Sequence, residues 1–433
     1  MGQISFLILL LSLIVLCPAK ITFARWSLTP RLSFLEQYDD NIFLTETDEQ
    51  EDYISIIAPG VGLTYETPTS EVYLDYEFTH NNYRNFSELN FNGHRALLDA
   101  NIDFSPRFSL GIWELFVRSN DPIDESGRSV FERPSIRPGL RSRYTRNIFI
   151  PEATFRFGDG RSITLEYRNG TLRNDAVDRA DQDENDVNAL LSYRLNAHNE
   201  LEFFYEHIDM EYGSTTPPEL PRSFRGNAVR GKYSYHFNPI TSVFLESLYF
   251  DKDLLEESPA FFDYNIYNQR FGFSRKVLEH LSLEASAGYA LRTSSDRDDE
   301  STFTSRLRLF GRFKSLEGRV YGATGFDDDF RTVEALGFSE FWRAGIDGRL
   351  QLQEKLWLGL EARVRRDDYV DRGRIDKLRK YRANITYEPF KWIALSFRYE
   401  RNERDSNTPS ESFENNRYLF SITFQYDVAE RLQ

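Results

Sequence analysis

The sequence predicts an all-β chain folded as a transmembrane antiparallel up-and-down β-barrel of about 20 strands, with roughly 16–22 tolerated. Three observations carry this. Apolar and polar residues alternate with period two almost to the end of the chain. The composition is rich in strand-forming aromatics, 15% of residues with 36 Phe and 24 Tyr, yet hydrophilic on average. Connections between the alternating segments are short and long in turn.

The first element is the apolar run SFLILLLSLIVLCPAKITFA, whose core is too short for a comfortable membrane helix and which ends in Thr22-Phe23-Ala24. It reads as a secretory signal peptide over 1–24, cleaved after Ala24 or after Ala19, although Lys and Arg are missing from its beginning. Cys17 lacks the small residue before it that lipidation needs, and it is the only cysteine. Cleavage leaves a single barrel domain over 25–433 with no disulfide, held by packing and backbone pairing.

The strands follow. Val72, Leu74, Tyr76 and Phe78 share one face while Glu71, Tyr73, Asp75 and Glu77 share the other, which is the period of a strand with one greasy side. The same pattern recurs in Ala96, Leu98, Ala100, Ile102 and Phe104, in Leu356, Leu358, Leu360 and Ala362, and in Tyr418, Phe420, Ile422 and Phe424. It predicts strands over 26–37, 53–66, 70–79, 94–104, 107–118, 146–157, 161–171, 186–196, 199–211, 223–237, 240–250, 264–276, 280–292, 302–313, 316–324, 339–352, 355–365, 380–388, 391–400 and 416–427.

Thr67-Pro68-Thr69, Ser105-Pro106, Gly158-Asp159-Gly160, Asn238-Pro239 and Pro389-Phe390 make tight turns on one side. Polar, acidic connections of about ten to twenty-seven residues lie on the other, the wiring of an outer-membrane barrel with periplasmic turns and outer loops. Closure is required because lipid cannot satisfy an open sheet edge. Tyr65, Phe104, Phe157, Phe237, Phe313 and Tyr387 would form one interfacial belt and Tyr38, Phe78, Tyr205, Tyr289 and Tyr399 the other. Pro30, Pro59 and Pro151 fall where a ladder donor is lost, which marks strand beginnings or bulges that would shorten three strands.

A formal charge of −15, a pI near 5.1 and a mean hydropathy of −0.54 exclude a helical membrane protein and give no basic surface for nucleic acid. The inward face would carry Arg306, Arg308, Arg312, Arg319, Arg349, Arg363, Arg365, Arg382 and Arg398 on one wall and Glu71, Glu77, Asp99 and Asp103 on another. Two readings stand side by side. Facing arginines and carboxylates pair across strands and satisfy a polar interior, or the arginines guide an anionic or sugar-rich solute, since a guanidinium binds oxyanions with paired donors.

The acidic runs at 46–52, 178–186, 296–300 and 327–329 read as solvated loops, with divalent-cation binding at the lipopolysaccharide surface as the alternative. Asp181-Gln182-Asp183-Glu184-Asn185 begins like a calcium loop but fails at Asp186 and Ser192. No close histidine pair, Gly-x-Ser-x-Gly or zinc motif appears, so no catalytic residue, metal or cofactor is assigned and the chain is not expected to be an enzyme.

The stretch Trp26 to Phe78, with Tyr38, Asp39, Asp40, Asn41, Ile42 and Phe43, acidic residues before Tyr53, and Pro59-Gly60 heading the second strand, resembles the opening of the putative β-barrel porin 2 family of outer-membrane barrels, including members associated with the PEP-CTERM/exosortase system. On the residues alone, Asp39, Asp40 and Asn41 end a strand by bonding nearby backbone, with a divalent-ion site as the other reading. The resemblance implies a Gram-negative outer-membrane location and a pore linked to surface exopolysaccharide export or assembly; a passive porin for small hydrophilic solutes is the alternative, and a structural or enzymatic barrel a second one. The partners expected are outer-membrane lipid and lipopolysaccharide, a polysaccharide or small hydrophilic solute, and a periplasmic export protein docked on the short turns. The connection 119–145 is long enough to fold inward as a constriction.

Overall fold

The computed structural model describes residues 24–124, 135–139, 141–176, 179–213, 223–256, 261–332 and 334–428, so the signal-peptide reading falls outside the described residues except at Ala24. Twenty long strands follow in chain order: β1 (Arg25–Asp39), β2 (Asp52–Thr67), β3 (Ser70–Tyr83), β4 (Phe91–Ser105), β5 (Phe108–Ser119), β6 (Tyr144–Gly158), β7 (Arg161–Asn174), β8 (Gln182–Arg194), β9 (Asn199–Tyr212), β10 (Phe224–Asn238), β11 (Thr241–Leu254), β12 (Tyr264–Leu278), β13 (Leu281–Thr293), β14 (Glu300–Arg312), β15 (Leu316–Asp329), β16 (Gly337–Gln353), β17 (Leu356–Tyr369), β18 (Arg374–Phe390), β19 (Ile393–Ser406) and β20 (Phe413–Gln425). Each pairs antiparallel with its chain neighbours, and β1 pairs with β20 from Arg31↔Gln425 to Asp39↔Arg417. The sheet is therefore a closed up-and-down barrel with no free edge, as lipid demands. Every segment that alternation marks as a strand is one.

Alternation decides which side chains meet lipid. Phe271 and Phe303 are 61% exposed on the outer face, while their sequence neighbours Arg270 and Thr304 face the other way. Tyr76 likewise lies exposed while Asp75 is buried against Arg31. Among the described residues no helix is long and apolar enough to cross a membrane; the strands do the crossing.

The loop-side aromatic belt is built by a repeated pairing. The hydroxyls of Tyr167, Tyr205, Tyr249 and Tyr399 donate to the amide oxygens of Asn185, Asn227, Asn265 and Asn416, each on the neighbouring strand and one step nearer the loops. An amphipathic phenol with its ring toward lipid and its oxygen toward water suits that height. Phe104, Phe157, Phe237, Phe313 and Tyr387 stand exposed beside the turns. From Asn227 to Phe237 is ten residues, which at ~3.3 Å per residue and a tilt near 40° spans about 25 Å of hydrocarbon.

Two local expectations change. Pro30, Pro59 and Pro151 lie inside full-length β1, β2 and β6 instead of shortening them. Each sits where pairing on one side is interrupted: the β1–β20 ladder begins at Arg31, β2–β3 pairing skips from Ile57 to Gly60, and β6–β7 pairing skips from Phe149 to Glu152. The missing N–H therefore costs no ladder bond. The last turn is formed by Lys391 and Trp392, with a register shift between Tyr387 and Phe390 where the sequence suggested the turn.

The outer loops are shorter than expected: residues 370–373 alone join β17 to β18, and 330–336 join β15 to β16. Backbone pairing continues past the membrane, where both faces of a strand carry charge and the apolar period that signals a strand is lost. Asp327, Asp328 and Asp329, expected in a solvated loop, complete β15, paired with β16 from Ser339 to Gly337.

Candidate functional site

The lumen face is charged throughout, and its pairing follows the register. Arg31 on β1 reaches Asp75 on β3 by passing over β2 at Gly60, where an added Cβ would stand 2.7 Å from the guanidinium and 2.9 Å from the Tyr76 carbonyl. Only glycine leaves that gap.

Of the expected basic wall, Arg308 lies 4.0 Å from Glu284, Arg312 bonds Glu317 at the turn-side rim (2.9 Å), Arg319 bonds Asp347, and Arg363 bonds Glu361 at 2.6 Å. Arg365 bonds Asp367 and Asp327 (2.6 Å each), and Arg382 lies between Glu361 and Glu400 at 3.1 and 2.7 Å. Arg349 covers the Trp357 ring at 4.1 Å, and Arg398 lines a cavity with Arg382, Glu400 and Arg417. Arg306 differs: no ion pair or hydrogen bond reaches it from the described residues, and it faces the cavity beneath the loop 330–336.

On the expected acidic wall Glu77 lies 3.5 Å from Arg31 and Asp103 3.6 Å from Arg156, while Asp99 accepts from Asn101 at 3.1 Å and Glu71 is exposed. Pairing with opposite charges thus accounts for most of the expected lumen residues; among the described residues Arg306 and Arg349 meet no carboxylate, and of these two Arg306 faces the cavity.

The loop side of the lumen is crossed by chain. From the β15–β16 connection, Phe330 inserts among Ile208 and Met210 of β9 and Phe224 of β10, with its ring edge-on to Phe224 at 5.2 Å. Its carbonyl accepts from the Tyr212 hydroxyl (2.8 Å), and the Thr332 carbonyl accepts from the Gln182 amide (2.6 Å). Arg331 bonds Glu184 and, at 2.7 Å, Asp186, both on β8. Its guanidinium would lose basicity on burial, but Glu184 and Asp186 reverse that and hold it well above the ordinary arginine value. Glu334 then reaches the opposite way to Arg404 on β19 (2.8 Å) and Arg374 on β18 (3.4 Å). This strap ties two walls together over the lumen.

The described residues of the connection between β5 and β6, 120–124, 135–139 and 141–143, also pack inward, as the length of the connection suggested. Its two-stranded ribbon, Ile123–Asp124 with Ser135–Ile136, places Ile136 against Leu44 and Phe413. Asp121 faces Arg417 of β20 at 3.3 Å; burial pushes its carboxyl up, but Arg417 and Arg141 outweigh it and hold the group below the ordinary carboxylate value. Arg141 bonds Asp39 (3.2 Å), and Asp39 also accepts from Asn415 (2.6 Å) and pairs with Arg417 (3.1 Å).

The motif at 38–43 therefore sits at the barrel seam. Asn41 accepts from the Thr45 amide (3.0 Å) and donates to the Thr45 and Glu414 carbonyls (2.7 and 2.8 Å), while Asp40 accepts from the Asn416 amide (2.6 Å). These bonds end β1 and fasten it to β20, the strand-ending reading of the motif. Among the described residues no group of three or more His, Cys, Asp or Glu is placed to hold a metal ion. Asp328, from the run considered for cations, is bonded instead by Lys252 (2.6 Å) and Tyr264.

The chain thus forms a closed barrel of twenty strands with a charged lumen crossed by loop residues. Residues 337–426 match the family model described as Putative beta-barrel porin 2. The match covers β16 to β20, whereas the resemblance noted in the sequence lies at the other end; the seam contacts of Asp39, Asp40 and Asn41 with Asn415, Asn416 and Arg417 join the two in space. No curated protein sequence matches the chain. In overall structure the barrel is similar to the siderophore receptor PirA from Pseudomonas aeruginosa, with 10% identity, 92% of this chain and 80% of that chain covered, and a TM-score of 0.52. It is also similar to the FrpB iron transporter from Neisseria meningitidis, with 8% identity, coverage of 93% and 82%, and a TM-score of 0.53. Likeness at these identities speaks to fold alone. Its fold is that of the outer-membrane β-barrels, and its last five strands resemble a porin family.

Sequence reasoning missed the strap. The segment FRTVEALGF has no strand or helix period, and its partners on β8 to β10 lie more than a hundred residues earlier in the chain. The one available signal was a Phe-Arg pair directly after three aspartates, an apolar anchor inside an acidic stretch.

Proposed function

We propose that the protein is a selective outer-membrane passage for small hydrophilic solutes that carry negative charge. The observation that carries this reading is the strap formed by Phe330, Arg331, Thr332 and Glu334, laid across a lumen in which Arg306 meets no carboxylate among the described residues. A constriction bounded by fixed charges selects by size and sign. An open hole of twenty strands would select weakly.

Small acidic sugars and other sugar-sized anions fit such a passage better than a polymer in the strapped state, since a polysaccharide chain would have to thread between strap and wall. A role in exopolysaccharide export or assembly is the second reading. It is favoured by the family resemblance and requires the strap to withdraw, with a periplasmic partner on the short turns and lipopolysaccharide around the outer belt.

The test is reconstitution of the purified protein. Liposome swelling with glucose and glucuronate, and reversal potentials in planar bilayers under a salt gradient, should show passage of monosaccharides and a preference for anions. Absence of any conductance, or preference for cations, refutes the reading.

A further inference from the structure

Beneath the strap lies a cavity of about 350 Å³, within the ~300–1,000 Å³ range of small-molecule sites. Its wall combines Arg306 and Thr304 of β14, Asn268 and Arg270 of β12, and Leu248 of β11, with Phe330 and Arg331 of the strap as its roof.

The charges around it are mostly committed. Arg270 is held by Glu246, Arg331 by Glu184 and Asp186, Asp327 by Arg365, and Asp328 by Lys252 and Tyr264. Arg306 has no such counterpart among the described residues; the carboxylates that act on it, Glu246 and Glu284, do so from a distance, and Arg270 and Arg308 repel it. Beside it the Asn268 amide oxygen is buried without a hydrogen-bond partner. A half-buried guanidinium that meets no carboxylate among the described residues and faces a cavity of sugar size has its donors open to an oxyanion from solution.

We infer that this cavity is a binding site for a sugar-sized oxyanion, with Arg306 receiving the carboxylate or phosphate through paired hydrogen bonds, Asn268 taking up a hydroxyl, and Leu248 offering an apolar flank. The inference rests on the proposed passage of anionic solutes and deepens it: the cavity is where the solute pauses under the strap. Bidentate geometry makes the role specific to arginine, since lysine supplies charge without the fork.

The test measures binding to the full-length barrel in lipid nanodiscs by titration calorimetry, with glucuronate, glucose 6-phosphate and glucose as probes. Glucuronate or glucose 6-phosphate should bind and glucose should bind far more weakly; the stronger of the two anions tells carboxylate from phosphate. Arg306→Gln should weaken anion binding at least about tenfold, the value of hydrogen bonds to a charged group. Arg306→Lys should fall between, and Arg312→Gln, at the turn-side rim, should bind as the parent does. Circular dichroism and heat-modifiable gel migration establish that each variant is folded. Equal binding of glucose and glucuronate, or parental affinity in folded Arg306→Gln, overturns the site. If anions bind through Arg306 while bilayers show no conductance, the site stands and the passage reading falls.

Discussion

Replacing Phe330 by alanine should release the strap and open the lumen while leaving the barrel intact. Phe330 is 8% exposed and its ring is enclosed by Ile208, Met210 and Phe224. A phenylalanine side chain of this kind buries on the order of 150–200 Å² of apolar surface, about 4–5 kcal/mol at ~25 cal/mol per Å², and truncation to alanine in packed sites costs about 3–5 kcal/mol. The loss falls on the equilibrium between docked and released strap, because the ladders of β15 and β16 do not depend on this ring. At ~1.4 kcal/mol per factor of ten, the docked fraction relative to the released one should fall by roughly two to nearly four orders of magnitude. Arg331 and Glu334 remain as polar anchors, so the released state competes with a weakened but specific one. Single-channel recordings in planar bilayers should show larger unitary conductance, frequent excursions between levels and reduced anion preference. Phe330→Leu keeps much of the volume and should change conductance little. A folded Phe330→Ala barrel with the conductance, noise and selectivity of the parent would refute the idea that this residue closes the lumen.

Other expectations follow from neighbouring contacts. Glu334→Gln removes the charge held by Arg404 and Arg374, each of which keeps Glu411 as a partner; strap docking should weaken by about 1.5–3 kcal/mol, read as a partial version of the conductance change. Gly60→Val places side-chain atoms where Arg31 crosses β2, so the Arg31–Asp75 pair must break and the urea midpoint of the detergent-folded barrel should drop; an unchanged midpoint would show that the crossing contributes nothing. Asp121 has a depressed pKa, so its contribution to docking the segment 121–124 against Arg417 is fully present above the ordinary carboxylate value of ~3.9 and is lost as pH falls through the depressed value. Its carboxylate accepts the Ile123 amide at 3.0 Å. Hydrogen exchange at Ile123, corrected for intrinsic rate, should therefore show constant protection from pH 7 to 5 and loss only in stronger acid.

The parts of this protein that could be read from its sequence are those that a one-dimensional period records. A strand that meets lipid on one face and water on the other must alternate, and most of the twenty announce themselves that way, whereas those at 107–118, 240–250 and 316–324 alternate poorly. The period fails at the loop ends, where β15 continues through Asp327, Asp328 and Asp329, because a strand with water or charge on both faces has no reason to alternate even though its backbone pairs as before. Lumen residues were legible by parity, yet their chemistry was not. Whether an arginine is neutralised depends on register: Arg319 meets Asp347 because those two residues are direct partners across β15 and β16, while Arg306 lies opposite Ser286 and Ala323 and meets no acid. A shift of two residues would exchange those fates.

The closure of the lumen is harder still to read, because it joins positions with no local relation. Gln182 holds the carbonyl of Thr332 and Asn415 holds Asp39, each across most of a wall or the whole length of the chain. These bonds are satisfied side chains in a site that water would otherwise fill, and their cost if unmade is what fixes the loops inward. The same reasoning gives Arg306 its significance. In a lumen where most guanidiniums are matched by a carboxylate through register or through a loop, one that meets none among the described residues and stands at the edge of a sugar-sized cavity is where the proposed oxyanion would bind.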